Sequence, residues 1–137
     1  MIKNKEIWTK YLIQEIFNCK YYIDSISDNI NGFEVVMSSS KNETDRIKVC
    51  FDGPILSYRS TDESFRQKLI FELTEIYSSD FYKDTTIFKV ENSRYITWLK
   101  EESYEWSETL NPRHFCFLSV DSILDVVACD EPKISKL

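Results

Sequence analysis

The spacing of apolar residues changes several times along this chain, and each change marks an element. Over residues 4–18, Ile7, Trp8, Tyr11, Leu12 and Ile16 recur at helical intervals, with Asn4 placed to cap them. The period then shortens. YYIDSISDNI, Asn31-Gly32 and FEVVMSS read as a hairpin, because Asn-Gly tolerates the positive φ of a type I′ turn. In RIKVCFD, Ile47, Val49 and Phe51 alternate with polar residues as in a half-buried strand, and Asp52-Gly53-Pro54 ends it. ILSYRS adds a fourth strand, so this half predicts an antiparallel meander.

A second helix follows. Ser60 and Glu63 have capping-box spacing, and Phe65, Leu69, Ile70, Leu73, Ile76 and Tyr77 form an apolar stripe that should end near Ser78. TTIFKVE predicts a short strand. Asn92 or Ser93 starts a third helix with Tyr95, Ile96, Trp98 and Leu99, and Pro112 closes the segment behind it. HFCFLSV and SILDVVAC, divided near Asp121-Ser122, predict a closing hairpin. The order α-ββββ-α-β-α-ββ implies an α+β domain, with a mainly antiparallel sheet and helices over one face. Residues 1–137 read as a single domain, with 130–137 a loose, charged tail.

Composition narrows the chemistry. With 42% hydrophobic and 15% aromatic residues, the chain has enough apolar area for a core of its own. No window approaches the ~20 apolar residues of a membrane span, and MIKNKEIWTK lacks the apolar run of a secretory signal, so a cytoplasmic location is expected. Cys19, Cys50, Cys116 and Cys129 form no CxxC pair, and reduced thiols are expected. A net charge of −6 without a Lys/Arg cluster argues against nucleic-acid binding and favours a basic protein partner.

Catalytic signatures are absent. His114 is the sole histidine; Cys116, two residues on, would share its strand face, which reads as a core thiol beside a strand entrance. There is no GxSxG, no metal-ligand spacing and no glycine-rich phosphate loop, so no catalytic residue, metal or cofactor is expected. Instead, residues 98–115 interleave Trp98, Tyr104 and Trp106 with Glu101, Glu102, Glu105 and Glu108. Past Ser103 the helical pattern fades, which places Tyr104 and Trp106 in a loop, either folded back as lids over the core with the glutamates a solvated face, or presented as a recognition loop. Tyr and Trp anchor interfaces at low entropic cost, and carboxylates around them pair with Lys or Arg. Asp62 and Glu63 would extend the surface if the fold brings them near.

SYRSTDES (57–64), IFKVENSRYITWLKEES (87–103) and HFCFLSVDSILDVVACDEP (114–132) resemble a family of small bacterial immunity proteins associated with polymorphic and contact-dependent toxin systems. The likeness covers roughly the C-terminal sixty per cent of the chain and includes Tyr58, Arg59, Thr61, Asp62, Glu63, Phe88, Lys89, Val90, Glu91, Asn92, Ser93 and Trp98. It implies a non-enzymatic protein that binds and neutralises a cognate toxin of nuclease type through an acidic surface. The alternatives are an enzyme or small-molecule-binding domain with a carboxylate-lined pocket around His114, and an oligomeric regulatory subunit.

Overall fold

A computed structural model describes residues 5–11 and 19–137. Among the described residues, nine strands form two antiparallel sheets, and helices cover one of them, giving an α+β fold. The first sheet has the order β1-β6-β7-β8-β5: β1 is Ile7–Lys10, β5 Ile55–Asp62, β6 Ile87–Glu91, β7 Arg113–Leu118 and β8 Ser122–Ala128. The second has the order β2-β3-β4-β9, from Tyr21–Asn29, Gly32–Ser39, Arg46–Phe51 and Lys133–Lys136. The helices are α1 (Gln67–Tyr77), the single turn α2 (Asp80–Lys83) and α3 (Arg94–Glu102).

Side-chain alternation in the first sheet builds two cores. Phe115 and Phe117 on β7, with Leu124 and Val126 on β8, face the second sheet and meet Val35, Met37, Ile47 and Val49 there. Phe51 ties these layers together, its ring lying 5.7 Å from that of Phe115 and 6.5 Å from that of Phe117. On the opposite face, Phe88, Val90, Cys116, Leu118 and Ile123 pack with Trp8 and with Leu69 and Leu73 of α1. Each fully buried side chain of this size contributes about 1.5–3 kcal/mol. Strands apolar on both faces, such as FCFL and ILDVVA, are what a sheet covered on both sides requires.

Five expectations need correction. The opening helix is contradicted at Ile7–Lys10, which form β1 against β6; residue 4 and residues 12–18 of that expected helix lie outside the described residues. The meander stops at β4, because β5 crosses to the first sheet and pairs with β8. In the β2–β3 hairpin, Asn29 opposes Gly32, so Ile30 and Asn31 make the turn, and Gly32 at φ 117° supplies the backbone freedom. Ser60 belongs to β5. Asp62 instead caps a 3₁₀ turn, Glu63–Phe65, ahead of α1, its carboxylate accepting from the Ser64 backbone N–H at 2.9 Å. The tail expected to be loose contains β9, paired with β4 so that Ile134 opposes Val49.

Candidate functional site

Two features stand out: a buried polar network under α3, and an exposed turn at the end of that helix. The network follows from strand register. On β7, residues 114, 116 and 118 point toward the helices; on β8, residues 123, 125 and 127 do. His114 and Asp125 are therefore diagonal neighbours on the helix-covered face, both buried, with Asp125 only 1% exposed. His114 Nε2 lies 2.7 Å from Asp125 Oδ1, and His114 Nδ1 lies 2.7 Å from Ser93 Oγ. Arg59 Nε and Arg66 Nη1 both donate to Asp125 Oδ2 at 2.8 Å. Tyr95 closes the group. Its ring meets His114 edge-on, the Arg59 guanidinium stacks 4.2 Å from its centroid, and its hydroxyl is hydrogen-bonded to Ser57.

Burial alone would push the Asp125 carboxyl up. The hydrogen bonds and charges of His114 and Arg59 outweigh it and hold the group well below the ordinary carboxylate range. An ionised Asp125 can only accept, so His114 Nε2 carries a proton, and in the neutral ring Nδ1 accepts from the Ser93 hydroxyl. Ser93 is also the N-cap of α3, its Oγ accepting from Ile96 N–H at 3.0 Å. The network thus fixes the start of α3 onto the sheet.

Ser, His and Asp at hydrogen-bonding distances invite comparison with a nucleophilic triad, but the chemistry here is closed. The serine oxygen already takes a backbone N–H, and two guanidinium groups neutralise the carboxylate that would have to support an imidazolium. Cys116 is no better as a nucleophile, since burial beside Asp125 holds its thiol well above the usual value. Cys19, Cys50, Cys116 and Cys129 are all free thiols. Among the described residues, no three His, Cys, Asp or Glu side chains gather in a way that could hold a metal ion.

At its far end α3 stops in a Schellman arrangement. Tyr104 N–H donates to Glu101 O at 3.2 Å, and Glu105 N–H reaches back to Lys100 O at 2.7 Å. The residue between the helix cap and that second bond must be left-handed, a place usually given to glycine. Here it is Tyr104, at φ 50°, followed by Glu105 at φ 68°. The Tyr104 ring is 96% exposed, and Trp106, which opens the 3₁₀ turn Trp106–Leu110, is 69% exposed. Glu101, Glu102, Glu105 and Glu108 stand exposed around them, and of these Glu108 faces Lys100 at 3.5 Å. An aromatic residue in a glycine position gains nothing from packing here.

Six of the eight residues expected to bind a partner are thereby brought together: Glu101, Glu102, Tyr104, Glu105, Trp106 and Glu108 share one surface. Asp62 and Glu63 do not join them. Asp62 opposes Ser122 at the end of β5, whereas residues 104–111 lead into Arg113, which opposes Ala128 at the other end of the same strands. Their neighbours are Asp121, Ile70 and Phe71, which line a separate groove. The sequence reading missed the buried network around Asp125. Its signal was a charged residue inside ILDVVA, an otherwise buried strand, where a carboxylate requires partners. Comparisons with protein-family models, curated proteins and solved structures return no match.

Proposed function

We propose that this protein is a binding inhibitor, an immunity protein that acts in the cytoplasm and neutralises a basic, nuclease-type toxin domain through the surface at the end of α3. One observation carries the reading: Tyr104 occupies a glycine position with its ring in solvent, between carboxylates and beside an exposed Trp106. A left-handed conformation costs a non-glycine residue about 1–2 kcal/mol, and the exposed Tyr104 ring finds no packing among the described residues to offset it. Contact with a partner would. Tyr and Trp bury large areas at low entropic cost, and the glutamates would pair with Lys or Arg at the rim and speed association. The net charge of −6 favours encounter with a basic partner. Among the described residues no helix is long and apolar enough to cross a membrane, which is compatible with this setting.

The adjacent upstream gene should encode a large secreted protein ending in a toxin domain; a metabolic operon there counts against the proposal. The purified toxin domain should bind the wild-type chain with an affinity that falls steeply as salt rises. Replacing Glu101, Glu102 and Glu105 together by Lys should abolish binding and protection of toxin-expressing cells, while the far-ultraviolet circular dichroism stays unchanged. Full protection by the charge-reversed chain would refute the assignment of this surface.

A further inference from the structure

A cavity of about 400 Å³ opens between α1, α3 and the first sheet, over the buried network. Its floor is Asp125 with Arg59 and Arg66. Two guanidinium groups share a single carboxylate oxygen there, so positive charge is in excess. Across the whole cavity, Arg59, Arg66, Arg94 and Lys68 outnumber Glu6, Glu72 and Asp125 by one, within a chain whose net charge is −6.

The cations are not equally committed. Arg94 is held by Glu6 at 3.5 Å and Glu72 at 3.0 Å. Arg59 gives Asp125 only its Nε and Arg66 only its Nη1, so both retain N–H groups that make no hydrogen bond among the described residues. Stacking on Tyr95 keeps the Arg59 plane in place, with its side chain 47% exposed. At the mouth of the cavity, Trp98 is 50% and Phe65 79% exposed. Phe65 is left largely uncovered and Trp98, packed on Tyr95 at 5.8 Å, half uncovered, beside the surplus charge.

Fixed guanidinium donors at the base and flat apolar faces at the rim suit one kind of ligand. We infer that this cavity binds a small planar anion: an aromatic ring that stacks on Trp98 and carries a phosphate or carboxylate taken by Arg59 and Arg66. The site is distinct from the acidic surface proposed to dock a toxin. It gives the chain a ligand of opposite charge, held between α1 and the first half of α3, in a cavity lined by none of the residues of the acidic turn.

The test is calorimetric titration of the full chain with three probes: a nucleoside 5′-monophosphate, indole-3-acetate, and the unphosphorylated nucleoside. Binding of either anion, with little from the neutral nucleoside, is the expected result, and the stronger anion identifies phosphate or carboxylate as the natural group. Arg59→Gln should weaken the bound anion roughly tenfold to a hundredfold, the effect of losing a charge-assisted hydrogen bond. Trp98→Ala removes a half-exposed ring that packs on Tyr95, and should lower the thermal melt only modestly, keeping the chain folded, while weakening binding about tenfold. Heat-free titrations with both anions at millimolar concentration would overturn the inference. So would equal binding of the neutral nucleoside, or an affinity untouched by both substitutions.

Discussion

Replacing Asp125 by alanine removes the acceptor on which His114, Arg59 and Arg66 converge. The three donors do not suffer equally. Arg59 is nearly half exposed and Arg66 a fifth exposed, so both can turn partly toward water. His114 is buried and leaves one ring N–H without a partner, at about 1–3 kcal/mol. Stranding one side of a buried ion pair typically costs about 3–5 kcal/mol, and the partial exposure of the arginines places this case near the lower end, about 3 kcal/mol. For a domain of this size that lowers the melting temperature by roughly 10 °C. Asp125→Asn should cost about half as much. Its amide can donate to His114 Nε2 while its oxygen serves the arginines, provided the imidazole moves its proton to Nδ1 and donates to Ser93 Oγ. His114 is the only histidine, so a ¹⁵N spectrum of the ring reads that tautomer exchange without overlap. The carboxyl is held below its unfolded value of about 3.9, so its contribution is complete above that pH and fades as pH falls toward the folded value. The gap between wild type and Asp125→Ala should therefore narrow only in acid. A loss under 1 kcal/mol at pH 7, or an unchanged imidazole spectrum in Asp125→Asn, would refute the reasoning.

Two further substitutions probe the fold. Gly32→Ala places a Cβ at φ 117°, with the nearest atom, Phe51 O, at an ordinary 3.6 Å, so the cost is backbone strain. About 1–2 kcal/mol should be lost in urea unfolding, and an unchanged midpoint would mean the hairpin turns differently. Burial pushes the Lys20 ammonium down to about 8, although it donates to Thr85 O at 2.8 Å and Leu118 O at 2.7 Å. The folded protein then sheds this proton before the unfolded chain does, and stability rises between about pH 8 and the unfolded value of 10.5. Unfolding midpoints measured across that range should show wild type gaining on Lys20→Met; parallel profiles would contradict the shift.

Local pattern accounts for what could be read early. The Ser93 cap, the β7–β8 hairpin and the end of α1 at Tyr77, just before Ser78, each depend on neighbours within a few residues and stand where the spacing placed them, whereas the expected start of the α1 stripe, Phe65, lies exposed in the 3₁₀ turn ahead of the helix. Long-range pairing decided the rest. Ile7 and Trp8 fit a helical face equally well, and only β6, some 80 residues away, makes IWTK a strand. One apolar residue, Ile134, could not announce β9, which exists because β4 has a free edge for it. β5 follows β4 in the chain but joins the other sheet, a choice that alternation alone does not encode. At the site, the loop position of Tyr104 and Trp106 was legible from the fading helical period, but their exposure was not, since rings folded back over the core fit the same pattern. The Schellman geometry beneath Tyr104 was not, because its residue type argues against it.

That conflict supplies the most direct measurement. Tyr104→Gly should relieve the left-handed strain and stabilise the isolated protein by up to about 1 kcal/mol, since an exposed ring has no packing to lose. If the proposed toxin partner docks there, the same change should weaken its binding at least tenfold, roughly 1.4 kcal/mol, when both quantities are measured on one preparation. A variant that is stabler and binds as tightly as wild type would contradict the account.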